Sequence, residues 1–286
     1  MERSRVCVVG SVNLDQSFAV DALPRPGETV LASSLSASPG GKGGNQAVAA
    51  ARAGATVQLV AALGDDSAAS QLRAHLSANE VGMNGTVTVP GSSGAAVIVV
   101  DAGAENTIVV APGANSHLSV ASAGVRKVVA DADVVLMQLE IPIDTVLAAA
   151  RLGRDAGAVV ILNASPTGAD ADRLAELSQA VDVVVVNEVE AREWHWPVEH
   201  LVITRGSSGA SYRSAGRSFD VPAPPVEAVD TTGAGDVFAG VLAAEWLSGP
   251  DDALRRACAA GALATLTPGA GDCAPSAEAI DDVLDE

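Results

Sequence analysis

Aromatic residues make up only 2% of this 286-residue chain, so large rings do not build its interior. Hydrophobic residues still reach 48%, and the core must come from Val, Leu, Ile and Ala. Cysteine is equally scarce: Cys7, Cys258 and Cys273 are odd in number and lack metal-ligand spacing, which excludes a disulfide framework and a zinc site. Basic residues number 17 against 35 acidic ones, a net charge of −18. Nucleic acid needs clustered Lys and Arg, so this balance argues against it as a partner, and it disfavours anionic membrane surfaces. No run of 18 apolar residues exists to span a membrane. The opening segment runs straight into a short apolar strand with no signal-like stretch before it, so a cytoplasmic protein is expected. The four histidines, His75, His117, His195 and His200, stand apart and read as surface or loop residues.

The length suits one α/β domain, with or without a small appendage. Short β-branched runs alternate with helical stretches: strands at 6–9, 57–61, 134–138, 159–162, 183–186 and 201–204, and helices at 46–55, 67–80, 143–155, 236–247 and 251–266. That alternation predicts a mostly parallel, Rossmann-like sheet covered on both faces. Two stretches break the rhythm. Residues 17–38 hold extended pieces punctuated by Pro24, Pro26 and Gly27, and 95–110 reads as a β-hairpin. Together they predict a small antiparallel sheet acting as a lid, a decoration or a dimer contact.

The most informative segment is Asp230-Thr231-Thr232-Gly233-Ala234-Gly235-Asp236, leading into a helix. A Gly-Ala-Gly turn at a helix N-terminus presents unpaired N–H groups to anionic oxygen. A carboxylate there repels a resting phosphate, and it makes sense if Asp236 takes a proton from a hydroxyl that attacks phosphorus. A plain turn, or a loose dinucleotide-binding fingerprint, are the competing readings. Asn13 and Asp15 follow the first strand and suit vicinal sugar hydroxyls, or stabilise a turn. Gly40-Gly41-Lys42-Gly43-Gly44-Asn45-Gln46 lets backbone approach a ligand closely, or is a flexible surface turn. Glu140 and Glu190 lie just after strands and are candidates for magnesium through water, or for helix-start acids. Thr204 to Gly209 offers hydroxyls and N–H groups to a nucleotide.

Gly-Ser-Val-Asn-Leu-Asp at 10–15, Pro-Arg-Pro-Gly-Glu-Thr at 24–29, Gly-Gly-Lys-Gly-Gly-Asn-Gln-Ala at 40–47 and the 230–236 segment occur here in order. The chain resembles the ribokinase family of sugar kinases over nearly its whole length. The resemblance implies a ribokinase-like fold and transfer of phosphate from ATP to the 5-hydroxyl of D-ribose. It implies Asp236 as catalytic base and Gly233, Ala234 and Gly235 as anion hole. Asn13, Asp15, Gly41, Lys42, Gly43, Asn45 and Glu140 then hold the sugar. Asn187, Thr204, Arg205, Gly206, Ser207, Ser208, Gly209, Gly235 and Cys258 line the ATP site. Glu190 assists Mg²⁺ through water, and Asp230, Thr232, Ala264, Thr267, Gly269 and Ser276 hold K⁺, with a shift for the 271–273 stretch. It also implies a homodimer through the lid. Related kinases of deoxyribose, nucleosides or hexose derivatives, and a catalytically silent sugar-binding regulator, are the alternatives.

Two departures from the family pattern stand out. Only 13 residues separate Asn187 from Leu201, where the family usually inserts a helix, so a flank of the sheet is expected to lie open. Cys258 stands where the family often places Asn or His against adenine.

Overall fold

The computed structural model describes residues 3–103 and 105–285. Its main sheet has eight strands. From one edge to the other they are Ser218–Val221, Ala210–Arg213, His200–Thr204, Val183–Asn187, Val159–Asn163, Val134–Met137, Arg5–Val9 and Thr56–Val60. The six from His200–Thr204 onward are parallel, and the first two add as an antiparallel edge. Alternate side chains go to opposite faces. Val6, Val8, Leu136 and Ile161 join a core with the helices Lys42–Arg52, Ala234–Glu245 and Pro250–Ala264. Cys7, Val9, Met137 and Leu162 join a second core under the helices Ala123–Ala130, Ile143–Asp155 and Ala171–Ser178. The doubly covered, mostly parallel sheet is therefore as expected.

The sequence reading passed over the eight-residue helices Ala123–Ala130 and Ala171–Ser178, the edge pair 210–221 and the last helix Ala277–Asp285. The two short helices depend on caps more than on length: Ser122 accepts from Val125 N and Asp170 from Arg173 N. Among the described residues no helix is long and apolar enough to cross a membrane.

The small sheet has four strands in the order Ser34–Gly40, Asn13–Ala19, Ala95–Val100, Asn106–Ala111. The expected all-antiparallel arrangement needs correction, because its central pair, Asn13–Ala19 with Ala95–Val100, is parallel. The chain leaves the small sheet at Gly40, runs through main-sheet elements and returns at Ala95, and this excursion lets it re-enter in the same direction. Its strands also reach further than 17–38, so Asn13 and Asp15 form the root of this sheet.

The short crossover after Asn187 does not lay the sheet bare, contrary to expectation. A 3₁₀ turn, Glu190–Arg192, is followed by Trp194, which is 8% exposed and packs with Trp196 on the second core. The two indoles meet edge to face at 5.3 Å, and Trp194 Nε1 donates to Trp196 O at 2.9 Å. The two rings share the second core with Val184 and Val186, on the face where a helix is expected. Trp194→Ala is expected to cost about 3–5 kcal/mol, as for large buried aromatics. Denaturant melts read this directly, and a loss below about 1 kcal/mol would show that the indole is no structural cover.

Candidate active site

The helix Lys42–Arg52 starts earlier than its apolar pattern suggests, inside the glycine run. Gly41 is in a left-handed conformation (φ 84°), and a Cβ there would meet Asn13 N at 2.8 Å. A Cβ on Gly43 would lie 2.7 Å from Gly10 C, so the helix start rests directly on the end of the first strand. Its N–H groups have partners: Lys42 N donates to Glu140 Oε2 at 3.1 Å, Gly43 N to Ser11 Oγ at 3.4 Å and Gly44 N to Ser11 O at 2.9 Å. Ser11 Oγ also donates to Glu140 Oε2 at 2.5 Å. Glu140 is therefore tied to a helix N-terminus, where a carboxylate is favoured.

Asn13 and Asp15, two apart on one strand, share a face. Asn115, which the sequence reading missed, donates through Nδ2 to Asn13 Oδ1 at 2.8 Å and accepts from Val12 N at 3.0 Å. This clamp leaves the Asn13 NH₂ as the free donor. Asp15 Oδ1 is buried without a hydrogen-bond partner. Burial, with the charges of Glu140 and Asp236 adding to it against an opposing Ala96 N–H, pushes the Asp15 carboxyl up to about 6. A cavity of about 400 Å³ opens beside Ser11, Asn13, Asn115 and Glu140.

Asp236 stands in the first turn of the helix Ala234–Glu245, 7% exposed. Asn45 Nδ2 donates to its Oδ2 at 3.0 Å and Gln46 Nε2 to its Oδ1 at 2.9 Å. Gln138 Nε2 in turn donates to Gln46 Oε1 at 2.6 Å. The cap residue Gly233 is left-handed (φ 80°), and a Cβ there would strike Ala270 Cα at 2.7 Å. No side chain caps this helix, and Ala234 N turns back to Thr231 O at 3.3 Å. The approach to Gly233 is loop, and a second helix follows Ala234–Glu245, so the strand–turn–helix–strand order of a dinucleotide fold is absent here. A pocket of about 150 Å³ is bounded by Lys42, Asn187, Glu190, Gly233, Gly235 and Asp236. The nearby charge of Asp236, opposed by burial and aided by Glu140 and Glu190, raises the Lys42 pKa, so its ammonium stays charged.

A larger cavity, about 720 Å³, adjoins it and takes in Asn187, Thr204, Gly206, Ser207, Gly209 and Cys258. Its apolar wall includes Pro224, Pro225, Val226 and Phe238, which the sequence reading missed although Ala-Pro-Pro-Val is visible at 223–226. Arg205 turns instead to Asp220 of the edge strand at 3.3 Å, and Ser208 closes the 206–208 turn by donating N–H to Arg205 O at 3.0 Å. Neither side chain borders the cavity. The Cys258 thiol faces Val221 O at 3.8 Å, and burial pushes it up to about 12.

Asp230 joins two loops, accepting from Thr232 N at 2.9 Å and from Gly269 N at 2.9 Å. Burial alone would raise its carboxyl, but these hydrogen bonds from Thr232 and Gly269 outweigh it and hold the group below the usual range. Ala264 O accepts from Thr267 N in the same turn at 3.3 Å, while Ser276 caps the last helix through Oγ to Ala279 N at 3.2 Å. Glu190 is buried, and its Oε2 accepts from Asn187 N at 2.8 Å.

This combination, a carboxylate in the first turn of a glycine-opened helix between a small polar pocket and a large half-apolar cavity, suits phosphoryl transfer to a small polyol. The sequence pattern of the pfkB family of carbohydrate kinases matches residues 3–277, and the chain belongs to that family. It is 35% identical to a ribokinase of Bacillus subtilis, over 98% of this chain and 99% of that one. A deoxyribokinase of Salmonella typhi is 31% identical over 98% of each chain. The structure of an Arabidopsis thaliana ribokinase complexed with ribose and ATP superposes with a TM-score of 0.91 at 27% identity, covering 100% of both chains. The likeness to ribokinases and the ribokinase-like fold are thus borne out.

The Asp15 environment sets a pH dependence. Burial pushes its carboxyl up to about 6, so on acidification it gains a proton, loses its charge and turns one oxygen from acceptor to donor. The KM for sugar is expected to rise as pH falls from 7.5 through 6 to 5, with Asp15→Asn flattening the change. A KM constant over that range contradicts it.

Proposed function

We propose that this chain transfers the γ-phosphoryl group of ATP to the 5-hydroxyl of D-ribose, giving ADP and D-ribose 5-phosphate. The observation that carries the reading is the orphaned Asp15 Oδ1 two residues along the strand from a clamped Asn13, near enough to Asp236 and Glu140 to feel their charges. A buried acceptor without a partner costs free energy that a ligand hydroxyl recovers. A free NH₂ beside it suits a vicinal diol. The ribokinase relatives and the complex with ribose and ATP point to the same sugar and nucleotide for this chain.

In this mechanism Asn13, Asp15, Asn45 and Lys42 orient the sugar, with Gly41, Gly43 and Glu140 shaping its floor. Asp236 takes the 5-hydroxyl proton as the oxygen attacks phosphorus, and the backbone of Gly233, Ala234 and Gly235 with the Lys42 ammonium faces the phosphoryl oxygens. Asn187, Thr204, Gly206, Ser207 and Gly209 receive the nucleotide, with Cys258 and Phe238 at the far wall. The residues fit the two expected ions. Glu190 is a buried carboxylate at the phosphate pocket, where Mg²⁺ needs few protein ligands and would neutralise phosphate charge. The Asp230 carboxylate, with Thr232 and the 264–269 turn, is an all-oxygen donor set of the kind K⁺ takes and bonds the loops flanking the anion hole. A cytoplasmic location belongs to the same reading, since three buried free cysteines suit a reducing compartment.

The deoxyribokinase likeness makes 2-deoxyribose the competing substrate. ATP turnover across ribose, 2-deoxyribose, nucleosides and hexoses separates the readings, with the highest kcat/KM expected for ribose. Asp236→Asn is expected to lower kcat by at least about 10²–10⁴-fold with sugar binding nearly intact. A variant with near-normal turnover removes Asp236 from the mechanism.

We also propose a homodimer through the small sheet. Every residue of its outer strand Asn106–Ala111 is exposed, including Ile108 at 52%, Val109 at 63% and Val110 at 52%, and Leu35 on the opposite edge strand is 61% exposed. Apolar strands left open on an edge invite a second copy. Light scattering at micromolar concentration is expected to give twice the chain mass, and a monomer with full ribose turnover sinks the proposal.

A further inference from the structure

We propose that Gln46 is a positioning residue for the Asp236 base, and that Gln138 acts through it; this rests on the reading of Asp236 as the base. Gln46 and Gln138 are both 0% exposed, on the first helix and just past the strand Val134–Met137, and neither borders the cavities around Asp236. A carboxylate rotates about its last side-chain bond unless both oxygens are held. Asn45 holds Oδ2 and Gln46 holds Oδ1, so the plane of Asp236 is fixed and its remaining lone pairs are aimed. The family resemblance gives Asn45 a sugar contact as well, whereas Gln46 carries this role alone.

The amide of Gln46 can serve only if its NH₂ faces Asp236, since a flipped amide would set oxygen against oxygen. The Asp236 carboxylate, which can only accept, sets this orientation, and Gln138 matches it by donating Nε2 to Gln46 Oε1 at 2.6 Å. The arrangement keeps one unfavourable feature: Gln138 Oε1 is buried with no partner. It also needs a glycine beside it, since a Cβ on Gly10 would lie 1.9 Å from that oxygen. An apolar pair would fill this space without an orphan acceptor, so two buried amides kept here are best explained by what they do to Asp236.

The test uses Gln46→Leu and Gln138→Met in the full chain with D-ribose and Mg-ATP. Gln46→Leu is expected to lower kcat about 100-fold with ribose KM within about twofold. Lys42, Asp15 and Cys273 also lie near Asp236, and none of them is altered. Gln138→Met should show a smaller loss, about 10-fold, and the double variant should be no slower than Gln46→Leu alone. Full kcat per folded molecule in Gln46→Leu, a loss that appears as a raised ribose KM rather than a lowered kcat, or additive losses in the double variant overturn the inference. If Gln46→Leu does not fold, Gln138→Met alone decides by its kcat against its ribose KM. Asp236→Asn measured in parallel keeps the two readings apart: an inactive Asp236→Asn beside an unaffected Gln46→Leu fells only the positioning role, and an active one fells the base.

Discussion

The close approach of the helices Lys42–Arg52 and Ala234–Glu245 is the contact on which the site depends. A Cβ on Gly240 would lie 2.4 Å from Gln46 O and 2.8 Å from Ala49 Cβ, so only glycine lets the two backbones come this near. The surrounding contact is made of small residues, Ala47, Ala49, Ala50, Ala239 and Ala243, all fully buried. Asp236 lies one turn before Gly240 on the same helical face, and the approach carries its carboxylate to the amides of Asn45 and Gln46. The near absence of aromatics has its counterpart here, since larger side chains would part the helices and separate the carboxylate from its donors.

Charge is arranged around that contact with economy. In a chain of net charge −18, Glu140, Glu190 and Asp236 converge near one ammonium, Lys42, and Asp15 lies near two of them, Glu140 and Asp236. Their environments separate them: Glu140 is bound to a helix N-terminus, Glu190 to the Asn187 N–H and Asp236 to two amides, while Asp15 keeps a bare oxygen. Of the four, Asp15 is the one with unmet hydrogen-bonding capacity, which the proposed sugar would satisfy.

Much of this was legible in the sequence, for identifiable reasons. Continuous Val and Ile runs at 134–137 and 183–186 announce strands buried on both faces, and the glycines around Lys42 and Asp236 announce close backbone approaches. Lys42 and Asp236 border one pocket, Asn45 bonds to Asp236, Asn13 lines a separate cavity with Glu140, and Asn187, Thr204, Gly206, Ser207 and Gly209 border a larger one. What stayed hidden depends on tertiary contact. Nothing local marks Asn115, Gln46 or Gln138, whose partners lie 103, 190 and 92 residues away. Arg205 was counted with the nucleotide residues because of its neighbours, yet the antiparallel edge strand, itself unforeseen, supplies Asp220 and draws it aside. The parallel pairing inside the small sheet was hidden for the same reason, since each strand's own pattern is silent on its neighbour's direction.

Proton-coupled ³¹P NMR of the product tests the central claim most directly. The purified chain, incubated with Mg-ATP and D-ribose, is predicted to convert the γ-phosphate into one new phosphomonoester. That resonance should be a triplet, split by the two protons on C5, and it should be absent without ribose. A doublet, from a single proton on a ring carbon, or release of inorganic phosphate at the same rate with and without the sugar, would contradict the account.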